Sequence, residues 1–256
     1  MEMNLIHMKN PPSPKGITIG QGDQGYRYSM EPFLLTNFIR LRPGQEVLDI
    51  GTGCGIIPIL LAHHEPGVRL RAVEIQRALY NQAVQNVINS QLTDRVQVVH
   101  GDVLDSLDSL RPGTFDAILS NPPFKEAQTG RTNPDPEKAI ARHELSLDLS
   151  SLVKKSASLL KSGGRLHLAY PPERLLACLE TLRLNKLHPS RLRFVHPYTK
   201  SEACIFLVEA VLGRQEEFTV ETPFIIFQND RSYSKEMAEI YASINHTGRP
   251  DHVSEK

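Results

Sequence analysis

Three features of the chain have the residue types and spacing to do chemistry. The first is Val47-Leu48-Asp49-Ile50-Gly51-Thr52-Gly53-Cys54-Gly55-Ile56, where a short apolar run gives way to glycine at alternate positions. Such glycines let the backbone turn tightly out of a strand and expose bare amides at the start of a helix, where a ligand can approach closely. The pattern is GxGxG, with Ile56 where a dinucleotide fingerprint would carry its third glycine. That points to a ligand without a pyrophosphate. The second feature is a pair of acids. Glu74 lies 25 residues beyond Asp49, and Asp102 follows Val99-His100-Gly101. At successive strand ends, one carboxylate can accept from both hydroxyls of a ribose and the next from an exocyclic amine. Either acid is equally suited to capping a helix.

The third feature is Ser120-Asn121-Pro122-Pro123-Phe124. Proline pushes the residue before it out of the helical region, and two prolines stiffen the turn while donating no N–H. Backbone carbonyls and the Asn121 amide oxygen are thereby fixed toward a pocket. Converging acceptors suit a planar exocyclic amine, whose lone pair is delocalised into its ring. Accepting both N–H bonds favours the pyramidal geometry that frees that lone pair. Phe124 is placed to stack on the attached ring. The alternative for an isolated Asn-Pro-Pro-Phe is a rigid turn beside a core phenylalanine.

The elements that must position these residues alternate. Val47–Ile50, Leu70–Val73, Val96–Val99, Phe115–Leu119 and Leu166–Ala169 read as strands. Ile56–His64, Gln76–Asn89, Leu149–Leu160 and Pro172–Leu184 read as helices, with Gly163-Gly164 as the stop of the third. Alternating β and α units predict a largely parallel sheet with helices on both faces. Leu192–Val195 and Ala203–Leu212, joined by a short link, predict an antiparallel hairpin at one edge. Ahead of this core, residues 1–42 read as a hairpin around Gly20, Gly22 and Gly25 followed by a helix over Glu31–Leu41. Residues 43–212 form the main domain, with a lid at 125–144, and 213–256 a C-terminal extension.

The 256 residues carry 29 basic and 29 acidic side chains, which excludes a globally basic nucleic-acid binder. Charge is segregated, however. Thr181–Ser201 holds Arg183, Lys186, Arg191, Arg193 and Lys200 and no acid, whereas Phe206 onward has nine acids against five bases. The bland reading of such a run is a solvated face. Three scattered cysteines without a CxxC argue against a disulfide framework or a structural zinc site, so no metal is expected. No apolar run approaches a membrane span, and the N-terminus lacks a signal-peptide layout, so a cytoplasmic location is expected.

Taken together, the glycine turn, Glu74, Asp102 and Asn-Pro-Pro-Phe resemble the class I S-adenosylmethionine-dependent methyltransferases. The resemblance implies an α/β, Rossmann-like, seven-stranded and mostly parallel sheet with one antiparallel edge strand. It implies S-adenosyl-L-methionine as cofactor, held by Asp49, Gly51, Gly53, Gly55, Glu74, Asp102 and Asn121. It also implies methyl transfer to an exocyclic amine, with Asn121, Pro122 and Phe124 at the reacting centre. The flanking segments Gly25-Tyr26-Arg27-Tyr28-Ser29, Ile140-Ala141-Arg142-His143-Glu144, Pro172-Glu173-Arg174-Leu175 and Arg193-Phe194-Val195-His196-Pro197 are similar to those of the bacterial tRNA1(Val) adenine-37 N6-methyltransferase family. That similarity implies an RNA substrate, a tRNA, contacted by Tyr28, Arg142 and His143, with Arg191 and Arg193 in the basic stretch helping to hold it. The same motif also serves guanine N2 in ribosomal RNA or a protein glutamine amide. A non-catalytic RNA-binding module is the alternative from another class, and a nicotinamide dehydrogenase fits least.

Overall fold

A computed structural model describes residues 30–106, 111–122 and 148–245. Among the described residues, nine strands form one sheet. They are β1 (Glu46–Ile50), β2 (Arg69–Glu74), β3 (Val96–His100), β4 (Phe115–Ser120), β5 (Leu160–Tyr170), β6 (Leu187–His196), β7 (Ile205–Leu212), β8 (Thr219–Val220) and β9 (Phe224–Ile225). The order is β3-β2-β1-β4-β5-β7-β6-β8, with β9 also on β6. The helices are α1 (Glu31–Phe38), α2 (Ile56–His64), α3 (Arg77–Asn89), the short α4 (Val103–Ser106), α5 (Leu149–Leu159), α6 (Leu175–Leu184) and α7 (Lys235–Asn245).

The core has two faces, as the alternation of β and α units requires. One buries Phe33, Leu34, Ile59, Leu60 and Val87 of α1, α2 and α3 together with Met237, Ile240 and Tyr241 of α7. The other buries Leu152, Val153, Cys178 and Leu182 of α5 and α6. The C-terminal extension is therefore continuous with the core. Its helix shows a readable stripe, since Met237, Ile240 and Tyr241 fall at i, i+3 and i+4.

The one antiparallel strand of the seven-stranded core is β7, and it does not lie at the edge. It inserts between β5 and β6 and runs against both. The reason is compositional. Ile205–Leu212 is apolar at nearly every position and buried on both faces, as an interior strand requires. By contrast β6 alternates and carries Pro189, which suits it to the outside. Two further departures are local. The strand expected at Leu166 begins at Leu160, because Leu160 is already extended, and Gly163-Gly164 fall inside it where the register with β4 shifts. Gly163 takes φ 75°, so the pair forms a bulge rather than a helix stop. The helix expected from Pro172 opens with a 3-10 turn over Pro172–Arg174. The N-terminal hairpin and the lid lie outside the described residues.

Candidate functional site

The C-terminal ends of β1, β2, β3 and β4 lie side by side, because these strands are mutually parallel. Out of β1 the chain enters the glycine turn with φ 74°, 59° and 81° at Gly51, Gly53 and Gly55, a region side chains disfavour. The glycines serve different ends. A Cβ on Gly55 would stand 3.1 Å from the Ala83 Cβ, so this glycine lets α3 pack against the turn. A Cβ on Gly51 would meet nothing within 4 Å, so this glycine opens onto free space. The turn is tied to β2, with the Gly51 and Thr52 amides donating to the Val73 carbonyl. Ser120 Oγ donates to the Ile50 carbonyl at 2.8 Å, which joins the ends of β4 and β1.

Asp49 is fully buried, and among the described residues neither carboxylate oxygen has a hydrogen-bond partner. Burial pushes its pKa up to about 7; the neighbouring Thr52 hydroxyl works against that shift and the Glu74 charge adds to it. Glu74 accepts from the Gly53 amide at 2.8 Å and from the Gln76 amide at 2.8 Å. One side chain thus fixes both the glycine turn and the start of α3. Burial raises the Glu74 pKa, and these amide bonds offset part of the rise. Asp102 accepts from the Leu104 amide at 2.8 Å and so caps α4, the alternative open from sequence. Each carboxylate has lone pairs beyond those uses.

Ile50 pairs with Ser120, so Asn121 emerges level with Gly51. Its Oδ1 is buried and has no donor among the described residues, although the residue as a whole is partly exposed. The structure therefore brings together Asp49, Gly51, Gly53, Gly55, Glu74, Asp102, Asn121 and Pro122 along one rim. Phe124, Tyr28, Arg142 and His143 lie outside the described residues. Ile75 was missed from sequence. It is a large apolar side chain, 38% exposed, directly after Glu74 and beside Gly101 by register. An apolar residue that follows a strand-end acid and stays uncovered is the signal that could have found it.

Arg191 and Arg193 are elsewhere and otherwise engaged. Arg191 donates to Glu221 at 2.9 Å, Glu209 at 3.0 Å and the Phe38 carbonyl at 3.0 Å, and lies 4.2 Å over the Phe38 ring. Arg193 pairs with both oxygens of Glu236, donates to the Thr222 carbonyl and covers the Phe224 ring. Arg191 ties the chain after β7 to β6 and α1, and Arg193 ties β6 to β9 and α7, so neither offers a free charge to a ligand. Glu209, which Arg165 also contacts, is held below the usual carboxylate range. Burial raises its pKa, but His167, Ser190, Arg165 and Arg191 outweigh that effect. Arg191→Ala removes one of the two guanidinium groups that hold this buried carboxylate, together with the donor to Glu221 and to the Phe38 carbonyl, and is expected to cost about 2 kcal/mol, read as a fall in the thermal midpoint. An unchanged midpoint would contradict the structural role.

The residues present fit a cofactor that combines cationic groups with a nucleoside. A buried carboxylate without a partner suits a positive group, the space over Gly51 admits one, and two further acids stand along the rim for hydroxyl and amine donors. Frame and site together are those of a Rossmann-like methyltransferase. The fold superimposes on a protein from Agrobacterium tumefaciens described as a predicted O-methyltransferase, with a TM-score of 0.68 at 16% identity, covering 83% of this chain and 96% of that one. Residues 30–174 match the methyltransferase small domain, and the chain belongs to that family, whose cofactor is S-adenosylmethionine. It is 41% identical over 133 residues to a tRNA1(Val) (adenine(37)-N6)-methyltransferase of Porphyromonas gingivalis, a match spanning 51% of each protein. It is 30% identical over 225 residues to the protein of that name in Tolumonas auensis, covering 87% of this chain and 91% of the relative.

Proposed function

We propose that the protein transfers a methyl group from S-adenosylmethionine to the N6 amine of an adenine in tRNA. The observation that carries the reading is the Asn121 Oδ1, buried and without a donor at the end of β4, level with the open approach over Gly51. The names of the two relatives support tRNA adenine as the target class.

When bound, the cofactor supplies a methyl carbon made electrophilic by its sulfonium. The chain's residues do the rest by position and charge. Asn121 accepts from the target amine and, with the backbone that Pro122 stiffens, draws it toward a pyramidal geometry. Asp49 offsets positive charge beneath the glycine turn. Glu74 and Asp102 would hold the ribose and adenine donors of the cofactor, and Ile75 would supply an apolar surface for its base. Phe124 stacks on the target base, and Tyr28, Arg142 and His143 contact the RNA. A dedicated general base is unnecessary: the amine becomes acidic as its new bond to carbon replaces the carbon–sulfur bond of the sulfonium, and its proton passes to water. Action on tRNA places the enzyme in the cytoplasm. Among the described residues, no helix is long and apolar enough to cross a membrane.

Incubation with tritium-labelled S-adenosylmethionine and either total RNA or total protein, followed by nucleoside analysis, tests the reading. Label in N6-methyladenosine from tRNA is expected. Label in guanosine or in protein would overturn the adenine assignment.

A further inference from the structure

The basic stretch from Arg183 to Lys200 does not act as a unit. Because β7 is antiparallel to both neighbours, β6 runs parallel to β5, and its C-terminal end lies on the rim that carries Gly51, Glu74 and Asn121. Arg183 and Lys186 precede β6 and belong to the opposite rim, while Arg191 and Arg193 are ion-paired. Lys200, exposed in the turn after β6, is the member of the stretch that reaches the functional rim.

A second loop stands beside it. Since β9 is parallel to β6, the chain leaving Ile225 emerges on the same rim. It doubles back through a tight hairpin, with Gln228 N–H donating to the Ser232 carbonyl, Arg231 N–H to the Gln228 carbonyl, and Phe227 bridged to Tyr233. Rings brace this hairpin onto α1. Tyr198 lies 5.6 Å from Phe227, Phe227 5.5 Å from Tyr233, Tyr233 5.1 Å from Tyr241, and Tyr241 5.3 Å from Phe33. At the tip Arg231 holds φ 68°, a conformation that side-chain-bearing residues disfavour and that glycine adopts freely. The tip therefore carries an exposed arginine where the backbone favours glycine. Among the described residues, Arg231 and Lys200 form no ion pair. The adjacent Asp230 turns onto its own loop, accepting from the Ser232 amide and hydroxyl. Between the two loops lies a groove of about 590 Å³, lined by Thr199, Phe227, Gln228, Asn229, Lys235 and the acid Asp230 among others.

We infer that this groove, with Lys200 next in the chain to its lining residue Thr199 and Arg231 next to its lining residue Asp230, docks the RNA backbone that flanks the target nucleotide. The inference rests on the tRNA reading above. Three strand spacings separate β4 from β6, about 14 Å along the rim. That is too far to touch the reacting base and close enough to hold a neighbouring part of the same molecule. Cations, side-chain amides and hydroxyls are the groups that contact phosphate and sugar, and the volume suits a nucleotide. A rigid, ring-braced tip loses little entropy on binding.

The test uses Arg231→Gly, which preserves the backbone the tip requires, and Lys200→Ala. Labelled tRNA is titrated into the full-length wild type and the double variant at several salt concentrations, with S-adenosylmethionine affinity and methyl-transfer kinetics measured in parallel. The double variant is expected to bind tRNA about tenfold more weakly, with a log–log salt slope shallower by about two. KM for tRNA rises while kcat and cofactor affinity hold. If the wild type methylates tRNA and the variant keeps its affinity and salt slope, the docking site is wrong and the proposed function stands. If the wild type methylates protein and no RNA, both fall.

Discussion

Asn121→Ala is expected to lower methyl transfer to tRNA by at least about 100-fold, the scale of losing one contact made in the transition state. The fold is expected to survive, because Asn121 lies just past β4 and its Oδ1 supports no other group among the described residues. Cofactor affinity is expected to stay within a few-fold, since Asp49, Glu74 and Asp102 remain. The split between rate and binding distinguishes this role from a structural one. A residue that merely shaped the turn would lower the thermal midpoint and the cofactor affinity together. Single-turnover rates with tRNA and calorimetry with S-adenosylmethionine check both halves. A rate within tenfold of wild type would remove Asn121 from the reacting centre.

The second large effect concerns Asp49. Its folded pKa of about 7 stands well above the ordinary 3.8, with burial as the main cause. Between these values the native state holds a proton that the unfolded chain has already released, so stability falls as pH rises from about 4 to about 7 and levels off above. The shift corresponds to about 4 kcal/mol. Asp49→Asn removes this contribution. The variant is expected to be more stable than wild type at pH 8 and nearly equal at pH 4 in denaturant titrations. The same change is expected to weaken S-adenosylmethionine at least about tenfold, because the carboxylate that offsets its positive charge is gone. Greater stability together with poorer binding marks a residue kept for function. A variant less stable at pH 8 would show that the buried carboxylate has a structural partner.

Much of this was legible in the sequence, for identifiable reasons. The glycine turn, the strand-end acids and Asn121 could be read because each belongs to a local signal: a tight turn, the end of an apolar run, a proline that restricts its neighbour. Their convergence followed from the rule that open parallel sheets gather their sites at the carboxyl ends of the strands. Arg191 and Arg193 misled because charge alone does not say what faces it. Their partners Glu209, Glu221 and Glu236 lie 18 to 43 residues away, and only the pairing of β6 with β7, β8 and β9 brings them in. The place of β7 inside the sheet was available from its apolar run, interrupted only by Glu209, whereas the short link to β6 pointed to the edge. Gly163-Gly164 carried the signature of a helix stop and of a bulge alike, and the pairing with β4 decided between them.

The most direct measurement of the central claim is a crystal structure with a non-reactive cofactor analogue and an adenosine-containing RNA fragment. The account predicts the N6 amine within hydrogen-bond distance of the Asn121 Oδ1, over Gly51 and facing the methyl-bearing position. An amine held by other groups, with Asn121 turned into the interior, would contradict it.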